Sequence, residues 1–248
     1  MKQKTKIHRF CIYTALGVIG FIVGTQVSAY QYRYRTPSQI EQEGSGKLSD
    51  FFSTDNLSGL FSKTVKKPDL AQEFKTASSK YKGVIGWLYI ENTRINYPIM
   101  HGEGNSYYLN RGPDGNASYN GSIFLDEAET GFNKVSVLHG HNMLDGSMFS
   151  DLHNYYRVET QKQNNAIYLY DGVKERKFMV ISILRVSSSY NLKLNIEDDN
   201  EVQKYANELS SSTLYSYGTK ITSKPLIILN TCFSDGTNDH LLVVGQEV

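Results

Sequence analysis

The sequence predicts a mainly β domain, closed or nearly closed into a barrel or else folded as a sandwich, with helices before the strands and one late helix among them. Three observations carry this prediction. About eight short runs rich in aliphatic, β-branched and aromatic residues follow one another from Val84 to the C-terminus. Asp171-Gly172 stands between two of these runs, a strong signal for a short hairpin. Eighteen tyrosines against one tryptophan accord with a β-rich domain of polar surface.

Residues 1–9 form a basic tail with Lys2, Lys4, Lys6 and Arg9 and no acidic residue. Residues 10–30 carry no charge, and at about 1.5 Å per helical residue they reach roughly 30 Å, enough for a bilayer core. The charge asymmetry around this stretch predicts a single-pass signal anchor in the cell membrane. Its N-terminus is expected in the cytoplasm and the rest of the chain outside. A cleaved signal peptide is the alternative, with Val27-Ser28-Ala29 as a weak cleavage site.

Residues 31–80 read as a stalk with N-terminal helices. Apolar positions recur at Leu48, Phe51, Phe52, Leu57, Leu60 and Phe61, and Leu70, Phe74 and Tyr81 make a stripe after Pro68. Residues 81–248 hold the strands, expected at Ile85–Ile90, Ile95–Met100, Ser122–Leu125, Val135–His139, Ala166–Tyr170, Lys177–Val186, Leu226–Asn230 and Leu241–Gly245. The late helix is capped by Asp199 or Asn200 and carries Val202, Tyr205, Ala206 and Leu209 at i, i+3, i+4, i+7 spacing.

Formal charge is +1; without the four basic residues of the tail, 22 basic residues face 25 acidic ones, about −3. No basic patch points to nucleic acid. Two cysteines are present, Cys11 inside the apolar stretch and Cys232 at the end of Leu226-Ile227-Ile228-Leu229-Asn230-Thr231-Cys232. Cys232 is therefore a packed core residue, an intermolecular partner or a nucleophile. A thiol needs a base or a cation to act at neutral pH, and His139 and His141, where Val135–His139 runs into a glycine turn, are candidates. Two other readings stay open. His139 and His141 could ligate a metal with His153, Asp145 or Asp151, or His141 could cap a loop while Cys232 packs in a core.

Gly140-His141-Asn142-Met143 together with Leu229-Asn230-Thr231-Cys232 resembles the sortases, cysteine transpeptidases and endopeptidases that anchor proteins to the cell wall of Gram-positive bacteria. The resemblance covers most of residues 80–245. Val84-Ile85-Gly86-Trp87-Leu88-Tyr89-Ile90, Ile95-Asn96-Tyr97-Pro98-Ile99, Tyr107-Tyr108-Leu109-Asn110 and Gly121-Ser122-Ile123-Phe124-Leu125-Asp126 look like the class B form. It implies a closed eight-stranded barrel with N-terminal helices and a helix in the connection before the cysteine strand. Cys232 would be the nucleophile and His141 the proton donor and acceptor, with no cofactor and no metal. The substrates would be secreted proteins bearing an Asn-Pro-x-Thr-like sorting signal, joined to an amine of a peptidoglycan precursor or a pilin lysine.

The chain departs from the family at one expected site. The family's arginine opens the final strand and holds the oxyanion, but no arginine follows Arg185 here, and the residue at that place is His240. Three readings remain: His240 donates in its stead, Arg185 or Arg157 reaches in, or the enzyme is impaired or relies on backbone donors. A catalytically silent sortase-like domain that binds sorting signals is the alternative function.

Overall fold

The computed structural model describes residues 66–156, 166–215, 217, 220–233 and 235–248. In chain order these form α1 (Leu70–Lys80), β1 (Val84–Ile90), β2 (Asn96–Met100), α2 (Asn105–Tyr108), β3 (Ile123–Leu125), β4 (Val135–His139), a 3-10 segment (Ser150–Tyr156), β5 (Ala166–Tyr170), β6 (Glu175–Ser187), α3 (Asp199–Ser211), β7 (Leu226–Cys232) and β8 (Asp239–Glu247). The strands close on themselves in the order β1-β2-β3-β4-β7-β8-β6-β5, with β5 pairing back onto β1. The barrel is thus the architecture adopted, and the sandwich is not. Most neighbours are antiparallel; β2–β3 and β4–β7 are parallel.

Period-2 alternation sorts the strand residues into two cores. Leu138, Ile183, Ile227, Leu229, Leu241 and Val243 point into the barrel. Val135, Val137, Leu184, Ile228, Leu242 and Val244 point outward against Val202, Tyr205, Ala206 and Leu209 of α3. The helical spacing read from the sequence therefore marks the packed face of α3. Its cap is Asp198, one residue earlier than expected, whose carboxylate accepts from the Asn200 and Glu201 amides at 2.8 and 3.0 Å. In α1, Asp69 caps the first turn and Pro68 lies just outside it. The β5–β6 hairpin turns at Asp171-Gly172, where Gly172 takes φ +88° and the Asp171 carboxylate accepts from the Val173 and Lys174 amides.

The single-pass location expected from residues 10–30 is corrected here. Among the described residues no helix is long and apolar enough to cross a membrane; α1 and α3, of 11 and 13 residues, reach only about 16 and 20 Å. Residues 10–30, with the tail and the stalk to residue 65, lie outside the described residues.

Candidate active site

On the outer face of β7 the row runs Leu226, Ile228, Asn230, Cys232. Its first two members belong to the core under α3, and the last two line an open cleft of about 520 Å³. The same change from apolar to polar occurs on the neighbouring strands, where His139 ends β4 and His240 begins β8 on this face. Another wall of the cleft comes from residues 186–194, the end of β6 and the start of its connection to α3, with Asn105, Leu109 and Phe124 along a further side. Polar groups gather here because the helix cover gives way to a loop.

Cys232 and His240 are direct cross-strand partners, and Sγ lies 3.9 Å from His240 Nε2. Burial lowers the proton affinity of His240, and Asp239 opposes this weakly. The protein packed around the thiol pushes its pKa up. The resting pair therefore favours neutral thiol and neutral imidazole. His141 lines the same cleft, and its Nε2–H donates a hydrogen bond to the Leu109 carbonyl oxygen at 2.8 Å. Gly140 between His139 and His141 is required by close packing: a Cβ there would stand 2.4 Å from Ile123 Cδ1 and 2.9 Å from Phe149.

His139 and His141 do not share a partner. His139 Nε2 is 2.8 Å from Asp126 Oδ2, and its Nδ1 is 3.1 Å from Asn230 Nδ2. Of the other residues considered as ligands, Asp145 accepts from Ser147, Asp151 is bound by Arg94, and His153 Nε2 bonds the Cys232 carbonyl at 3.1 Å. Among the described residues no group of three or more His, Cys, Asp or Glu side chains is placed to hold a metal ion.

Arg185 does not reach into the cleft. It bridges Asp235 at 2.8 Å and Asp239 at 2.7 Å and lies over the Phe233 ring at 4.2 Å, on the strand face opposite His240. Arg157 lies outside the described residues. The position eight residues after Cys232 thus presents only an imidazole to the thiol. Sequence reasoning did not single out Asp126 or Asn230, and it considered His153 only as a metal ligand; the signal available for Asn230 was its place two residues before Cys232, hence on the same strand face.

The model of the family described as "Sortase domain" matches residues 88–248. Sortase B of Listeria monocytogenes is 25% identical over 254 aligned residues, spanning 100% of this chain and 99% of that protein. Sortase B of Clostridium perfringens superposes with a TM-score of 0.63 at 25% identity, over 71% of this chain and 98% of that one. A complex of Staphylococcus aureus sortase B with its substrate has the same fold, with a TM-score of 0.64 at 24% identity over 77% and 90% of the two chains.

Proposed function

This chain belongs to the sortase family of transpeptidases, in its class B form, and on that premise we propose that Cys232 is its nucleophile. The enzyme cleaves a C-terminal sorting signal of the Asn-Pro-x-Thr kind and passes the acyl fragment to an amine. The observation that carries this reading is the Cys232–His240 pair, 3.9 Å apart in a cleft that His141 also lines.

The proposed steps follow from the protonation states. As Sγ attacks the scissile carbonyl, the thiol proton passes to His240, and the imidazolium so formed donates to the developing oxyanion. The C–N bond breaks as His141, acting as imidazolium, gives its proton to the leaving amine. An acceptor amine, from a peptidoglycan precursor or a pilin lysine, then attacks the thioester and loses a proton to His141. Cys232 leaves as thiolate and recovers its proton from His240, so all three groups return to their starting states. A histidine can replace the arginine in this scheme because it becomes charged only when the oxyanion forms.

The test is transpeptidation of an Asn-Pro-x-Thr peptide onto a small amine. Cys232→Ala should abolish it. His240→Ala should lower the rate by about two orders of magnitude, whereas His240→Arg, which cannot take the thiol proton but holds Cys232 as a thiolate beside a fixed charge, should retain or raise it. Equal rates for the three residues at position 240 would sink the oxyanion role. The missing arginine and the raised thiol also favour a second reading, a silent domain that binds the signal without cleaving it. Peptide binding without turnover by the native chain would support that reading.

A further inference from the structure

Asn230 is 7% exposed, lines the cleft two residues before Cys232 on the same strand face, and its Oδ1 is buried with no hydrogen-bond partner. A buried unpaired acceptor is costly unless something fills it. The other half of the amide is accounted for by a chain of contacts. Asp126 accepts from the Ala128 amide at 2.9 Å and from Asn105 Nδ2 at 3.2 Å, and these bonds with that from His139 hold its carboxyl down at about 2. An ionised carboxylate can only accept, so His139 Nε2 carries the proton. In the neutral ring Nδ1 is then an acceptor, and it takes the Asn230 Nδ2 hydrogen at 3.1 Å. Phe124 stacks on the His139 ring at a centroid distance of 5.3 Å and keeps its plane fixed. The amide is thereby oriented with its oxygen turned away from His139.

We propose that Asn230 binds substrate through this oxygen, accepting an N–H from the sorting peptide or from the incoming amine, and that Asp126 and His139 are positioning residues that aim it. The inference rests on the transpeptidase reading and adds a binding group to it. Neither His139 nor Asp126 touches the reacting atoms; each acts through the next member of the chain.

The experiment uses the full chain with a fluorogenic Asn-Pro-x-Thr peptide, with and without a small amine. Asn230→Leu, which keeps the volume and removes the acceptor, should lower kcat/KM about tenfold or more through KM, and Asn230→Asp, which keeps an oxygen, should recover part of it. If the N–H belongs to the peptide, hydrolysis without amine falls; if it belongs to the amine, hydrolysis holds and the KM for the amine rises. Asp126→Asn should act in the same direction, and the double variant with Asn230→Leu should be no worse than Asn230→Leu alone. Ring ¹⁵N shifts of His139 should report a single proton, on Nε2. Additive effects, a doubly protonated ring, or unchanged KM for both substrates in folded Asn230→Leu would overturn the inference while leaving the nucleophile in place. A native chain that neither cleaves nor acylates would overturn the transpeptidase reading and this inference with it.

Discussion

Cys232 meets His240 across a single rung of the β7–β8 ladder, so the geometry of the proposed pair is set by two neighbouring strands. The pH dependence follows. His240 must be neutral to take the thiol proton, and its neutral fraction rises with pH. Since burial lowers its pKa below the ordinary 6.5, the acid limb of kcat/KM is expected below pH 6.5. In His240→Arg that limb should vanish, because a guanidinium does not titrate there. An acid limb unchanged by the substitution would assign it to another group. The motif residues Cys232 and His141 were legible as candidates in the sequence because Cys232 ends a recognisable strand and His141 follows the end of another by two residues. The closeness of His240, rather than His141, to the thiol was not, since it depends on which strands pair.

At the scale of elements, β4 and β7 lie side by side and parallel, buried on both faces, and a carboxyl is buried beside them. Glu129 Oε1 accepts from the Val137 amide at 2.7 Å while Oε2 is buried without a partner. Burial, aided by nearby Asp126, pushes its pKa up to about 8. Between its ordinary value of 4.5 and about 8 the folded state holds a proton that the unfolded state has released, so stability falls as pH rises through that window. Glu129→Gln should raise Tm at pH 8 and do little at pH 4; an equal gain at both would contradict the buried-acid account. Asp198→Ala should cost about 1 kcal/mol by removing the α3 cap, measured by urea unfolding. Strands with strong alternation and the α3 stripe could be read from the chain. The caps, α2 and the 3-10 segment could not, because one-residue shifts and single turns leave almost no periodic signal. The placement of residues 186–194 along the cleft could not be read, since a loop's placement is set by what it packs on.

For the whole molecule, barrel closure joins strands far apart in sequence, β1 with β5 and β6 with β8. The interior core and the core under α3 share β4, β7 and β8. Loss of one core should therefore undo the other. Trp87, 1% exposed and bonded through Nε1 to Asn96 at 2.7 Å, is the chain's single tryptophan and reports on the far side of the barrel from α3. Leu209→Ala should destabilise by about 2–5 kcal/mol, with Trp87 fluorescence and far-UV circular dichroism shifting together; a separate early loss of helix would show independent cores. The barrel was legible from strand number and motif order. The single-pass location drawn from residues 10–30 gained no support from the described helices. In the proposed function the barrel places Cys232 where a peptide carbonyl can acylate it. The most direct measurement is the intact mass of the full chain after mixing with an Asn-Pro-x-Thr peptide and no amine. The account predicts a thioester adduct of the acyl fragment, mapped to Cys232, released by an added amine and missing in Cys232→Ala. Peptide cleavage with no adduct, or an adduct that persists in Cys232→Ala, would contradict it.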